Sequence, residues 1–432
     1  MLIFTKKSIM PENFENISKY NFWGNDNLDV GFPRSGYTAK IEGFVSDRVV
    51  KVLTGQRRVG KSYILRQIAK SLIDSGVNKN NTFFVNKEYL SFDFVRTYQD
   101  LEDLFLEYRR KLSPEGKIYI FLDEVQEINE WERFVNSYSQ DCTAQYELFI
   151  SGSNSRMLSS ELGTLLSGRY VEFKIYPFSF DEYASYKGLE KNSLDFVQYM
   201  KEGGLPELLK LSGDEARMQY VEGLKNTILL RDVIQRHNVR DSVLLEDLFT
   251  YLVNNASKLT SIQNLVNYLA SKRRKASYET LAQYIDYLTE TFVIHKLERY
   301  DIKGKESLGG NFKYYANDTA FHNFLYGGYN YGSGYLLENI VFLDLMRSSF
   351  RVYVGVLNSL EVDFVAEKGD RKIYVQVAYH LDDEETIERE YAPLRKTGDS
   401  FEKYVVSLDE ISLPSKDGIR NIPAWDFPDL LK

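Results

Sequence analysis

The chain has 432 residues, 43% of them hydrophobic and 27% charged, with a formal net charge of −8. That balance suits a globular chain of about three domains, at about 150 residues each, and excludes a polycation that coats nucleic acid. One cysteine, Cys142, excludes an internal disulfide and a cysteine-based zinc centre, and the four histidines show no metal-ligand spacing.

No run approaches the roughly eighteen apolar residues of a membrane span. Residues 1–8 lack the charged-then-apolar layout of a signal peptide, so a cytoplasmic protein with no membrane partner is expected. Residues 1–37 are polar and aromatic without clear periodicity, and read as an arm packed on the adjoining domain. Residues 49–54 (VVKVLT) are β-branched and apolar and predict a buried strand, while residues 63–70 carry apolar positions at helical spacing. Between them stands GQRRVGKS: Gly55, Gln56, Arg57, Arg58, Val59, Gly60, Lys61 and Ser62. This fits the phosphate-binding loop GxxxxGK(S/T) in the setting it requires, after a strand and opening a helix. The glycines let backbone N–H groups wrap a polyphosphate. Lys61 reaches its β- and γ-phosphates, and the Ser62 hydroxyl takes a place on Mg²⁺.

Residues 117–122 (KIYIFL) predict a second strand ending in Asp123 and Glu124. After a phosphate loop, Asp123 is the expected Mg²⁺ carboxylate and Glu124 the group that polarises the attacking water. A third strand over residues 146–151 ends in Gly152, Ser153 and Asn154; Asn154 is the candidate to orient that water, with Ser153 as runner-up. Strands alternate with helices across residues 38–175, predicting a parallel sheet covered on both faces. Residues 176–230 read as helices. Residues 231–326 give three amphipathic helices closed by a β-rich pair, the layout of a winged-helix domain. Residues 327–334, rich in Gly, Tyr and Asn, are the most linker-like segment, and residues 327–432 continue with a helix and strands.

A small basic excess in residues 231–310 is concentrated at Lys272, Arg273, Arg274 and Lys275, just before Ser277, a predicted N-cap for a helix over 278–290. Beside the third helix of a winged helix, these cations are the candidate DNA contact through phosphates, with Lys303 and Lys305 on the wing. Asp286 and Glu290 on that helix argue against base reading in the groove.

These motifs resemble an AAA-type ATPase. Arg169, in SGRY before the strand near residue 171, matches the arginine that in AAA proteins reaches the γ-phosphate of a neighbouring subunit, which implies a homo-oligomer. GGLPE over residues 203–207 resembles the lid element of STAND-like NTPases, in which the proline, here Pro206, packs near the nucleotide. Taken together, residues 38–410 resemble a prokaryotic family of AAA/STAND-related ATPases with a winged helix and a C-terminal PD-(D/E)XK-nuclease-like domain.

The resemblance implies a P-loop α/β core at 38–175, a helical lid at 176–230, a winged helix at 231–326 and a restriction-endonuclease-like α/β domain at 327–432. It also implies adenine as the base. In that last domain Glu338 and Asp363 match the helix and hairpin carboxylates, but Gln376 and Ala378 stand where a Glu-x-Lys pair is expected. An amide loses metal charge and alanine loses the electrophile, so the nuclease-like domain is read as inactive. The expected function is an Mg²⁺-dependent ATPase that couples nucleotide state to partner or nucleic-acid binding. The alternatives are a slow nucleotide-dependent switch with little hydrolysis and, less favoured, an ATP-regulated nuclease.

Overall fold

The described residues of the computed structural model are 11–155, 168–327 and 333–432. Ser167, residues 328–332 of the linker-like segment and residues 1–10 of the arm lie outside them. The chain divides into two compact units, residues 1–175 and 176–432.

In the first unit five strands form one sheet: β1 Val50–Thr54, β2 Thr82–Asn86, β3 Ile118–Asp123, β4 Tyr146–Gly152 and β5 Tyr170–Lys174. All its pairings are parallel and the order is β2-β3-β4-β1-β5. The strands read as continuous apolar runs because alternate residues face two separate cores. Phe83, Val85, Ile120, Leu122 and Ile150 join Leu104, Phe105, Phe134 and Val135 on one face. Phe84, Phe121 and Phe149 join Ile64, Leu65 and Ile68 on the other. Each such buried side chain contributes about 1.5–3 kcal/mol relative to exposure. The helix Pro11–Ser18 buries Phe14 and Ile17 against the first face, and Phe22 reaches the second. Parallel strands bring the carboxyl ends of β1, β3 and β4 to one edge, where ligands of open α/β sheets bind.

The second unit opens with helices Phe180–Lys187, Ser193–Glu202 and Asp214–Thr227. The last runs on into a π-helical turn, Ile228–Gln235, so the expected domain limit at residue 230 falls inside a continuous helical stretch. Helices Ser242–Asn254, Ile262–Ser271 and Tyr278–Glu290 come next. The last begins where the sequence indicates, with the Ser277 side chain accepting from the Thr280 N–H.

The strands of this unit are β6 Thr260–Ser261, β7 Ile294–Asp301, β8 Glu306–Ala316, β9 Arg351–Leu357, β10 Leu360–Lys368, β11 Arg371–Val377, β12 Glu402–Ser407 and β13 Ile419–Pro423. They form one eight-stranded sheet in the order β13-β12-β11-β10-β9-β7-β8-β6. β6 pairs antiparallel with β8, and β7 pairs parallel with β9 through Arg299 and Val354. The β7–β8 hairpin is therefore continuous with the C-terminal strands. No helix among the described residues is long and apolar enough to cross a membrane.

Candidate nucleotide site

The loop after β1 owes its path to its glycines. Gly55 has φ +149°, and a Cβ there would stand 2.2 Å from the Ile175 carbonyl oxygen, so no other residue fits. Gly60, at φ +98°, takes the N-cap position of the helix Lys61–Asp74. The first N–H groups of an α-helix have no intrahelical partner, which makes this end an anion site. Gln56 and Val59 are fully buried and Arg57 nearly so, whereas Arg58 projects into solvent.

Lys61 is buried, and its ammonium donates to the carbonyls of Gly55 at 3.0 Å and Gln56 at 3.1 Å. It also stands 3.4 Å from Glu124 Oε1. Loop and acidic strand end are thus one site.

Asp123 and Glu124 are adjacent buried carboxylates. Burial, and then the Glu124 charge, push Asp123 up to about 6, against hydrogen bonds from Ser151 and Ser62. Burial also drives Glu124 upward, but the Lys61 and Arg57 charges outweigh it and hold Glu124 below the usual carboxylate range. The two acids are therefore set apart by their surroundings, with the one next to the lysine the more acidic. Glu124 adopts a left-handed conformation, φ 55°, ψ 51°, with its N–H donating to Ser151 Oγ at 3.1 Å. This turn carries the side chain back toward the loop. The donor set fits a magnesium nucleotide: an ammonium and a helix N-terminus for phosphate, and a hydroxyl hydrogen-bonded to a carboxylate, Ser62 to Asp123, for the cation.

Four neighbours escape the sequence reading. Asn86 of β2, in register with Asp123, donates to Asp123 Oδ2 at 2.6 Å. Ser151 of β4 donates to Asp123 Oδ1. Glu88 Oε1 accepts from Arg57 Nη1 at 3.0 Å. Arg34, buried in the arm, donates from Nη1 to the Val59 carbonyl at 2.9 Å and so braces the loop from outside. Asn154 lies buried just past the end of β4, while Ser153 Oγ accepts from Gln126, whose amide also donates to Glu124.

Arg169 is exposed immediately before β5. Pro206 belongs to the second unit, half-buried. The glycines ahead of it have a packing reason of their own. A Cβ on Gly203 would stand 2.0 Å from Asp318 Oδ1, and one on Gly204 would stand 2.3 Å from the Phe178 carbonyl oxygen. The Gly204 N–H donates to Asp318 Oδ2 at 2.8 Å, closing the turn. Gly204→Ala is therefore expected to cost about 1–3 kcal/mol by overpacking against backbone, lowering Tm by roughly 2–10 °C. A variant as stable as the wild type would refute that packing account.

Lys272, Arg273 and Lys275 are exposed, while Arg274 pairs with Asp247 at 2.6 Å. Asp286 is exposed on the helix after them, but Glu290 is buried beside His237 at 3.2 Å. Folding brings one histidine, His380, within ligand reach of Asp382 and Asp409, a grouping the sequence spacing does not announce.

Comparisons place these features among known proteins. The family model described as AAA domain matches residues 47–184, and that described as Domain of unknown function (DUF8612) matches residues 193–329. An uncharacterized protein of Haemophilus influenzae is 34% identical over 400 residues, covering 91% of this chain and 98% of its own length. The uncharacterized protein MJ1544 of Methanocaldococcus jannaschii is 28% identical over 406 residues, covering 90% and 86%. Among solved structures, the Walker-type ATPase PABY2304 of Pyrococcus abyssi aligns over 67% of this chain and 95% of its own, with 17% identity and a TM-score of 0.46. Cdc6p of Pyrobaculum aerophilum aligns over 66% and 92%, with 13% identity and a TM-score of 0.30.

Proposed function

This chain belongs to the protein family of its Haemophilus influenzae relative and carries an AAA domain, and on that premise we propose that it binds ATP with Mg²⁺ and hydrolyses it. The observation that carries the reading is the convergence of Lys61, Ser62, Asp123 and Glu124 on one buried edge of the parallel sheet. A carboxylate held ionised next to the metal carboxylate is what a hydrolysing site needs and a purely binding site does not. Asn154 and Ser153 stand at the carboxyl end of the strand beside β3, where the lytic water is to be oriented. Arg169 lies exposed just before β5, so its γ-phosphate role belongs to a second copy of the chain, and Pro206 keeps the role of the lid proline that the STAND-like resemblance suggests. The test is ATP turnover across protein concentration in the wild type, Lys61→Ala, Glu124→Gln and Arg169→Ala. Turnover per chain that rises with concentration only while Arg169 is present supports a shared site. ATP binding without turnover under every condition leaves a partner-dependent switch.

The downstream layout supports coupling to nucleic acid. Three helices, a two-residue strand β6 paired to β8, and the β7–β8 hairpin keep the order of a winged helix. The helix Ser333–Arg347, the strands β9–β11, the helix Glu384–Arg395 and β12 keep the order of the nuclease-like fold, without its Glu-x-Lys pair. Non-specific phosphate contact through the exposed cations is the expected mode. Lys272→Glu with Lys275→Glu should weaken duplex binding about tenfold at low salt and lower the salt slope by about 2. Fluorescence anisotropy across a salt series reads both, and a wild-type protein that binds no duplex at low salt ends the proposal.

A further inference from the structure

The C-terminal strands bury a charged cluster that the nucleotide site does not use. Lys313 enters from β8, Glu338 from the helix Ser333–Arg347, and Glu361 and Asp363 from β10. The Lys313 ammonium lies 2.8 Å from Glu361 Oε1, 2.9 Å from Glu338 Oε1 and 3.4 Å from Asp363 Oδ1, and its side chain is 4% exposed. An ammonium has three protons and no acceptor, so three carboxylates use it completely.

The surrounding oxygens are engaged as well. The Tyr315 hydroxyl donates to the same Glu338 Oε1 at 2.8 Å, and Asp363 Oδ2 accepts from the Val377 N–H at 2.9 Å. Gln376 Oε1 accepts from the Asp363 N–H at 3.3 Å, and its amide donates to Glu390 at 2.9 Å.

Glu338 and Asp363 are buried while Glu361 is 35% exposed at the rim, and carboxylates gathered out of water require a cation, either a hard divalent ion or a buried ammonium. We infer that Lys313 is the permanent cation of this cluster: its ammonium holds Glu338, Glu361 and Asp363 where a divalent ion would otherwise be drawn. It closes the cluster to metal and ties the β7–β8 hairpin to the C-terminal strands. The cluster remains short of positive charge, since one ammonium faces three carboxylates. Burial and then the Asp363 charge accordingly push the Glu338 carboxyl up to about 8, against the pull of Lys313. The Glu-x-Lys pattern conceals this arrangement because the lysine arrives from a strand 50 residues before Asp363.

The inference is independent of the ATPase reading, and its test uses nucleotide-free full-length protein. Bound Mn²⁺ per chain is counted by electron paramagnetic resonance in the wild type, Asp363→Asn, Lys313→Met and Lys313→Met with Asp363→Asn. Any ion at the phosphate loop is common to all four and cancels. The wild type and Asp363→Asn should bind equal amounts. Lys313→Met should gain about one ion per chain and lose it again when Asp363 is also replaced. A folded Lys313→Met that gains no ion, or a gain that survives Asp363→Asn, overturns the inference. Should Lys313→Met not fold, the first pair decides. Equal counts support a closed cluster, and an ion lost with Asp363, or Mn²⁺-dependent DNA cleavage lost with it, overturns one.

Discussion

Glu124→Gln is expected to lower ATP turnover by about 10²–10⁴-fold, the usual worth of a positioned general base, while leaving ATP binding intact or tighter. An amide cannot accept the proton of the attacking water, yet it keeps the shape of the carboxylate. The contact from Gln126 survives, because an amide oxygen still accepts a hydrogen bond. The left-handed backbone at position 124 is no worse for glutamine than for glutamate, so the turn that aims the side chain is retained. Removing the charge also releases Lys61 from its 3.4 Å contact with Glu124 and removes an anion from the neighbourhood of the γ-phosphate. The signature is therefore a fall in kcat with a KM that stays level or drops, measured by phosphate release and by titration with a fluorescent ATP analogue. Turnover within tenfold of the wild type would show that Glu124 is not the base and would return the choice to the residues at the end of β4.

The features legible in the sequence alone are those contained in single segments. The phosphate loop, the acidic strand end and the Ser277 cap are each read from a run of a few residues, because their chemistry is local. Parallel strands buried on both faces announce themselves as apolar runs. Strand order does not. β4 lies between β1 and β3, and only that insertion sets Ser151 beside Asp123, one register step beyond the Leu122–Ile150 pair. Asn86 is a similar case, an ordinary strand-end asparagine until β2 pairs with β3. The helix Pro11–Ser18 has too short an apolar pattern to stand out, since Phe14 and Ile17 gain their meaning from the core they enter. The same holds for the larger sheet. β7 meets β9 across a long sequence separation, so three helices and a hairpin that read as a closed domain extend into the C-terminal strands.

Lys61→Ala should remove nucleotide binding itself, a loss of about 2–5 kcal/mol or roughly 30- to 5,000-fold in affinity. The size comes from where the ammonium sits. It is buried at the N-terminus of the helix Lys61–Asp74 and is held by two loop carbonyls, so its charge is already desolvated and aimed before phosphate arrives. Its loss has a second consequence for the acids. Asp123 and Glu124 remain buried side by side with the Lys61 charge gone and that of Arg57 left, so both carboxyls shift upward and the pair holds a proton to higher pH. Mg²⁺ competes with that proton for Asp123, so whatever metal affinity survives should fall off at a higher pH than in the wild type. Lys61→Arg does not restore the site, because a planar guanidinium does not replace a compact ammonium inside a closed loop. Thermal shift with ATP and Mg²⁺ reads the effect directly: stabilisation by ligand in the wild type scales as RT ln(1 + [L]/Kd) and should vanish in the variant. A Lys61→Ala protein that ATP still stabilises to the wild-type extent would mean that the loop after β1 is not the phosphate cradle, whatever its sequence.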